Sequence, residues 1–102
     1  MPLETHPWDA AEHLQGPEDI AAYLGAALED GDPKLITAAL GDIGRARGMA
    51  QLARDTGLSR ESLYRALSAE GNPELGTVLK VLKALGVKLE ARPAAAGGNE
   101  YA

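Results

Sequence analysis

Residues 49–67 read Met49-Ala-Gln-Leu-Ala-Arg-Asp-Thr-Gly-Leu-Ser-Arg-Glu-Ser-Leu-Tyr-Arg-Ala-Leu67. The pattern predicts two short helices, about 50–56 and 60–67, joined by a three-residue turn that contains glycine, a helix-turn-helix arrangement. Small Ala53 suits the crossing of the two helices, Gly57 supplies the left-handed residue that ends the first, and Leu58 plugs the angle. Ser59 is placed to cap the second helix, with Leu58 before the cap and Leu63 inside it as a hydrophobic staple. Advancing about 100° per residue from Leu63 turns Ala66 and Leu67 inward and Glu61, Ser62 and Arg65 outward. Arginine can read guanine with two hydrogen bonds and glutamate can accept from cytosine. Arg60, Glu61, Ser62 and Arg65 are therefore the candidate base-reading set. Arg45, Arg47, Gln51, Arg54, Ser59 and Tyr64 are the candidates for the DNA backbone, where contacts set affinity and register without reading sequence. A plain helical bundle with a glycine turn explains the same spacing.

Charge separates these alternatives in part. The chain has a net charge of −5, but residues 1–42 hold nine acids against Lys34, a local −8. Residues 43–67 hold five arginines against Asp55 and Glu61, a local +3, and residues 68–102 balance four acids with four bases. An acidic chain can still present a basic face, and the distribution decides what it attracts. The asymmetry suggests two partners of opposite sign, although a solvated face also accounts for the acids.

Outward from the motif, helices are predicted on both sides. Pro17 suits a first helical position, and Ile20, Tyr23, Leu24, Ala27 and Leu28 form one apolar stripe over about 17–29. Asp32-Pro33 opens a second helix with Leu35, Ile36, Ala39, Leu40 and Ile43 inward, ending near Gly48. Gly41 and Gly44 within it each cost about 1 kcal/mol relative to alanine, which implies close approach by another helix or a mobile end. Asn72-Pro73 opens a last helix with Leu75, Val78, Leu79, Leu82 and Leu85 on one stripe and Gly86 as its stop. Val87-Lys88-Leu89 alternates, as a short strand would. Asp9 and Glu12 form a capping-box pattern for a single turn over about 10–14.

Composition closes off other classes. The 102 residues make one small domain; the aromatics are Trp8, Tyr23, Tyr64 and Tyr101 alone, so the core is aliphatic and helices are favoured over strands. No cysteine is present, which excludes disulfides and thiolate metal sites. His6 and His13 lack metal-ligand spacing, and Asp9 with His13 reads as a helix-surface pair. Neither catalysis, a metal, a cofactor nor a small-molecule ligand is expected. The apolar runs are broken by Lys80, Lys83 and Lys88, and residues 1–6 lack a secretory pattern. A cytoplasmic protein with no membrane partner is expected.

Several blocks in order resemble the addiction-module antidote proteins, HigA-like antitoxins of the Xre (lambda-repressor-like) helix-turn-helix superfamily. They are Ala27-Leu-Glu-Asp-Gly-Asp-Pro33, Ala39-Leu-Gly-Asp-Ile-Gly-Arg-Ala-Arg-Gly-Met49, Gly57 to Leu67, Gly71-Asn-Pro73 and Thr77 to Gly86. The resemblance covers about residues 1–92. It implies a five-helix DNA-binding core, usually dimeric, that represses its own operon and neutralises a RelE/HigB-like mRNA-cleaving toxin. Ala50 departs from it, since the family commonly has a hydroxyl there that could cap the helix beginning near Gln51; its lack weakens that start by about 1 kcal/mol.

The expected architecture is therefore all-α: a compact five-helix lambda-repressor-like domain over 17–92, a polar arm over 1–16 and a flexible tail over 93–102. A homodimer on operator DNA is expected, because one short recognition helix reads only a few base pairs and Val87 and Leu89 leave apolar surface after the last helix. Toxin contact is expected in the acidic third, at Trp8, Glu18, Asp19, Glu29, Asp30 and Asp32. Two other readings remain at this stage: a stand-alone phage-type Xre regulator, and an acidic interaction module without DNA binding.

Overall fold

The computed structural model describes Leu14 and residues 16–94. Its elements are α1 (Pro17–Asp30), α2 (Pro33–Arg47), α3 (Met49–Thr56), α4 (Arg60–Ala66) and α5 (Leu75–Leu85). The architecture is all-helical, with no strand among the described residues. Trp8, the two histidines, the turn expected over 10–14 and the tail beyond residue 94 lie outside the described residues.

Each helix starts and stops for a local reason. Proline stands at the start of α1 and of α2, and the Asp32 carboxylate accepts from the Lys34 amide at 3.0 Å. The junction between α2 and α3 is a single residue. The Gly48 amide donates to the Gly44 carbonyl at 2.8 Å, closing α2, while its own carbonyl accepts from the Leu52 amide at 3.0 Å, opening α3. Gly48 has φ +101°, a backbone that an L side chain rarely adopts. This corrects the expected start of α3: the helix begins at Met49, Ala50 is already inside it, and no hydroxyl at 50 could act as the N-cap.

The core is aliphatic. Leu40, Ile43, Leu52, Leu63, Val81, Leu82 and Leu85 are its largest fully buried side chains, and Leu14 joins them from just ahead of α1. The α1–α2 hairpin packs side by side, and α3 lies against α2, α4 and α5. The glycines within α2 are explained by close approach. A Cβ at Gly41 would stand 2.6 Å from the Leu67 carbonyl oxygen, and one at Gly44 would stand 3.0 Å from Met49 Sδ.

Three expectations are corrected. The last helix starts at Leu75 with Glu74 as its cap residue, so Asn72-Pro73 belongs to the preceding turn. Its buried stripe is Val81, Leu82 and Leu85, leaving Leu75 and Leu79 exposed, because apolar residues occupy more of its circumference than α3 can cover. Leu28 and Leu35 are likewise exposed at the margins of their stripes. Residues 87–89 form no strand: the Val87 amide is taken by the Leu82 carbonyl at 2.9 Å, and no extended partner lies beside it among the described residues.

Candidate nucleic-acid interface

The turn between α3 and α4 is held by its own residues. Gly57 takes φ +79° and its amide donates to the Ala53 carbonyl at 2.9 Å. The Thr56 hydroxyl donates to the Leu52 carbonyl at 2.8 Å and accepts from the Leu58 amide at 3.2 Å, so one side chain ties both sides of the glycine. Ser59 Oγ accepts from the Ser62 amide at 3.0 Å, a cap that contributes about 1 kcal/mol. Leu63 is fully buried and Leu58 half-buried, as a staple requires. These contacts fix which face of α4 points out.

That face carries Arg60, Glu61, Ser62 and Arg65, all exposed. Arg60 lies over the Tyr64 ring with its guanidinium carbon 6.0 Å from the centroid, at the outer limit of a cation–π contact. Ser62 Oγ accepts from Ser59 Oγ at 2.9 Å, so both hydroxyls already serve the helix start. Arg65 borders a polar cleft of about 540 Å³ between α4 and the turn that leads to α5, where Glu70 and Glu74 also stand.

The six residues expected at the DNA backbone fall into separate places. On α3, Gln51 is held at both ends: its amide nitrogen donates to Asp55 at 2.9 Å and its oxygen accepts from Arg54 at 2.7 Å. Arg47 reaches the other Asp55 oxygen at 3.7 Å. Arg47, Gln51 and Arg54 thus form one outward network around Asp55, while Ser59 and Tyr64 belong to α4. Arg45 is set apart, paired with Asp42 at 2.7 Å and lying against Gly41 near the carboxyl end of α4. Among the described residues, Arg54, Arg60 and Arg65 have no carboxylate within ion-pair distance.

Two residues that sequence reasoning did not single out organise this surface. Asp55 could have been found from its i, i+4 spacing to Gln51. Asp42 accepts both from Arg45 and from the Tyr23 hydroxyl, the latter at 2.6 Å. That hydrogen bond, with burial adding to it, pushes the Tyr23 phenol up to about 12. No spacing rule links residues 23 and 42.

The acids expected to meet a partner, Glu18, Asp19, Glu29, Asp30 and Asp32, are all exposed on α1 and at the start of α2. Three of them have local duties as well. Glu18 and Asp19 occupy the first turn of α1, where negative charge favours the helix, and Asp32 caps α2. Among the described residues no group of three or more histidines and carboxylates could hold a metal ion, and no helix is long and apolar enough to cross a membrane.

No solved structure matches this chain. An uncharacterized protein of Haemophilus influenzae is 52% identical over 90 residues, which is 88% of this chain and 93% of that protein. Residues 4–93 match the family described as "Probable addiction module antidote protein". By both the length and the closeness of these matches, the chain belongs to the addiction-module antidote family.

Proposed function

We propose that the protein is the non-catalytic, DNA-binding antitoxin of a type II toxin–antitoxin module. In this reading α3 and α4 are a lambda-repressor-like helix-turn-helix, and α4 enters the major groove of the protein's own operator. A two-fold dimer represses transcription there, and the same chain neutralises a RelE/HigB-like toxin in the cytoplasm. The observation that carries the reading is the exposed arginine pair of α4, Arg60 and Arg65, without carboxylate partners among the described residues, on a helix whose orientation is fixed by Leu63, Ser59 and Thr56. Membership of the antidote family supplies the toxin as the second partner in general terms.

The ion pairs at Arg45 and Arg47 favour a second reading, an acidic interaction module that has lost DNA binding, because they neutralise two of the five cations. One experiment separates the two. A gel shift on the upstream region of the protein's own gene, with and without the neighbouring gene product, is expected to show specific retardation by the wild type. Loss of that retardation in Arg60→Ala and Arg65→Ala supports the first reading. Binding that both variants retain unchanged overturns the assignment of α4.

A further inference from the structure

Arg45 stands in the arginine-rich segment, yet its surroundings are unlike those of a cation waiting for a phosphate. Its Nη2 donates to Asp42 Oδ1 at 2.7 Å, one turn back along α2. The other oxygen of that carboxylate, Oδ2, accepts from the Tyr23 hydroxyl of α1 at 2.6 Å. Asp42 thus ties a phenol on one helix to a guanidinium on the next, with both oxygens in use. A lone exposed ion pair contributes little, whereas a charge shared in a network of good geometry holds its partners more firmly.

The far end of this chain of contacts meets α4. A Cβ at Gly41 would stand 2.6 Å from the Leu67 carbonyl oxygen and 3.3 and 3.5 Å from the two terminal nitrogens of Arg45. The glycine therefore leaves a notch that the guanidinium shares with the residue closing α4. Carbonyls in the last turn of a helix have no partner within it, and a cation beside them is favoured.

The notch matters because α4 is otherwise held from one side. Among the described helices only α3 packs extensively on it, and Thr56, Leu58 and Ser59 fix its amino-terminal end. Its carboxyl end meets α2 at Gly44, through the apolar Leu67 side chain, and at Gly41, where the polar groups gather.

We propose that Arg45 is a positioning residue for base reading, in place of the phosphate contact its charge suggests: held by Asp42, and through it by Tyr23, it seats the carboxyl end of α4 and so sets how Arg60 and Arg65 enter the groove. The proposal rests on the reading of α4 as the DNA-contacting helix. It extends that reading to two side chains, Tyr23 and Asp42, that lie outside the basic segment.

Charge gives the test its sign. Asp42→Asn removes an anion, so electrostatics alone predicts tighter binding to a polyanion. The same change removes one of two accepting oxygens, so the proposal predicts weaker binding. Tyr23→Phe alters no charge and should act in the same direction. Isotherms of the full chain on the upstream region of its own gene, over a salt series, are the measurement. Affinity should fall about three- to fivefold for Asp42→Asn, Tyr23→Phe and Arg45→Ala, the scale of one exposed ion pair or hydrogen bond. The salt slope of Arg45→Ala should match the wild type, whereas loss of a phosphate contact flattens it by about one unit. Tighter or unchanged binding by Asp42→Asn, or a flattened slope for Arg45→Ala, overturns the proposal. Should Asp42→Asn unfold, Tyr23→Phe decides, and unchanged affinity there overturns it.

Hydrogen exchange keeps this proposal apart from the DNA reading. The Leu67 amide, which donates to the Leu63 carbonyl at 2.9 Å, should exchange faster in Asp42→Asn and Tyr23→Phe relative to the Leu52 amide of the core. That difference separates a loosened helix end from a general loss of stability. An equal change at both amides, or none, overturns the proposal even where operator binding falls. A wild type that ignores the operator while this difference appears refutes the DNA reading and leaves the seating of α4 by Arg45 intact.

Discussion

Single side chains divide the work between holding the fold and meeting a partner. Tyr23 is the clearest holder, since its hydroxyl spans α1 to α2 by donating to Asp42. Tyr23→Phe should lower stability by about 1 kcal/mol, the scale of a partly exposed hydrogen bond, in thermal or urea denaturation. The sign with pH follows from the raised phenol. The folded value is about 12 against an unfolded 10.0, so the contribution is fully present below pH 10 and is lost as pH rises from 10 to 12. The wild-type advantage over Tyr23→Phe should vanish across that window, and an advantage that persists at pH 12 would contradict the assigned bond.

On α4 and α3 the arginines should separate by kind of effect. Arg60→Ala or Arg65→Ala should cost about 1–3 kcal/mol on the cognate site and relax base preference, whereas Arg54→Ala should weaken all sequences alike and flatten the salt dependence by about one unit of slope. Binding isotherms over a salt series check both. The outward identity of Arg60, Glu61, Ser62 and Arg65 was legible in the sequence because Leu63 fixes the phase of a short helix. The ties of Ser62 to Ser59 and of Arg45 to Asp42 were not included in that reading, although short spacing makes both available to it. Tyr23 with Asp42 was beyond it, because only the packing of α1 on α2 brings them together.

At the level of helices, packing overrides intrinsic preference. Alanine is the better helix former, yet Gly41→Ala should destabilise the protein, because its Cβ would stand 2.6 Å from a backbone carbonyl that cannot swing aside. The gain in propensity is about 1 kcal/mol, and forced overpacking costs about 1–3 kcal/mol, so the net loss should be up to about 2 kcal/mol. A rise in melting temperature for Gly41→Ala would show that α4 and α2 can part. Helix existence and most ends were readable from capping residues, proline and periodicity. The facing of α5 was not, since its apolar residues cover several sides and the neighbours alone choose Val81, Leu82 and Leu85 for the core. The strand expected at 87–89 failed for a related reason: alternation describes a face, and a strand needs another strand beside it.

Across the whole molecule, charge is sorted by segment, with an excess of acids on α1 and the start of α2 and the exposed arginines Arg54, Arg60 and Arg65 on α3 and α4. Neutralising Glu29, Asp30 and Asp32 together should slow capture of a basic partner, most strongly at low salt, since steering is screened over about 8 Å at physiological ionic strength. Operator binding should be nearly unchanged. Stopped-flow association rates across a salt series check this; equal rates at low salt would remove the acidic face from partner recognition. Asp32→Asn is the gentler change at its position, because an asparagine still caps α2. Deleting residues 1–16 is a less clean test of the arm, because Leu14 is buried in the core and its loss would unsettle the fold as well as any contact.

The two halves of this charge map are spliced at Gly48, which ends one helix and begins the next with no residue to spare. A loop swallows an extra residue; this joint has no slack to do so. One insertion there would have to be taken up by α2 or α3, turning the affected face by about 100° and setting Leu52 or the arginines of α3 out of phase with the core. Length differences among related chains should therefore gather in the longer span between α4 and α5, residues 67–74, and avoid residue 48.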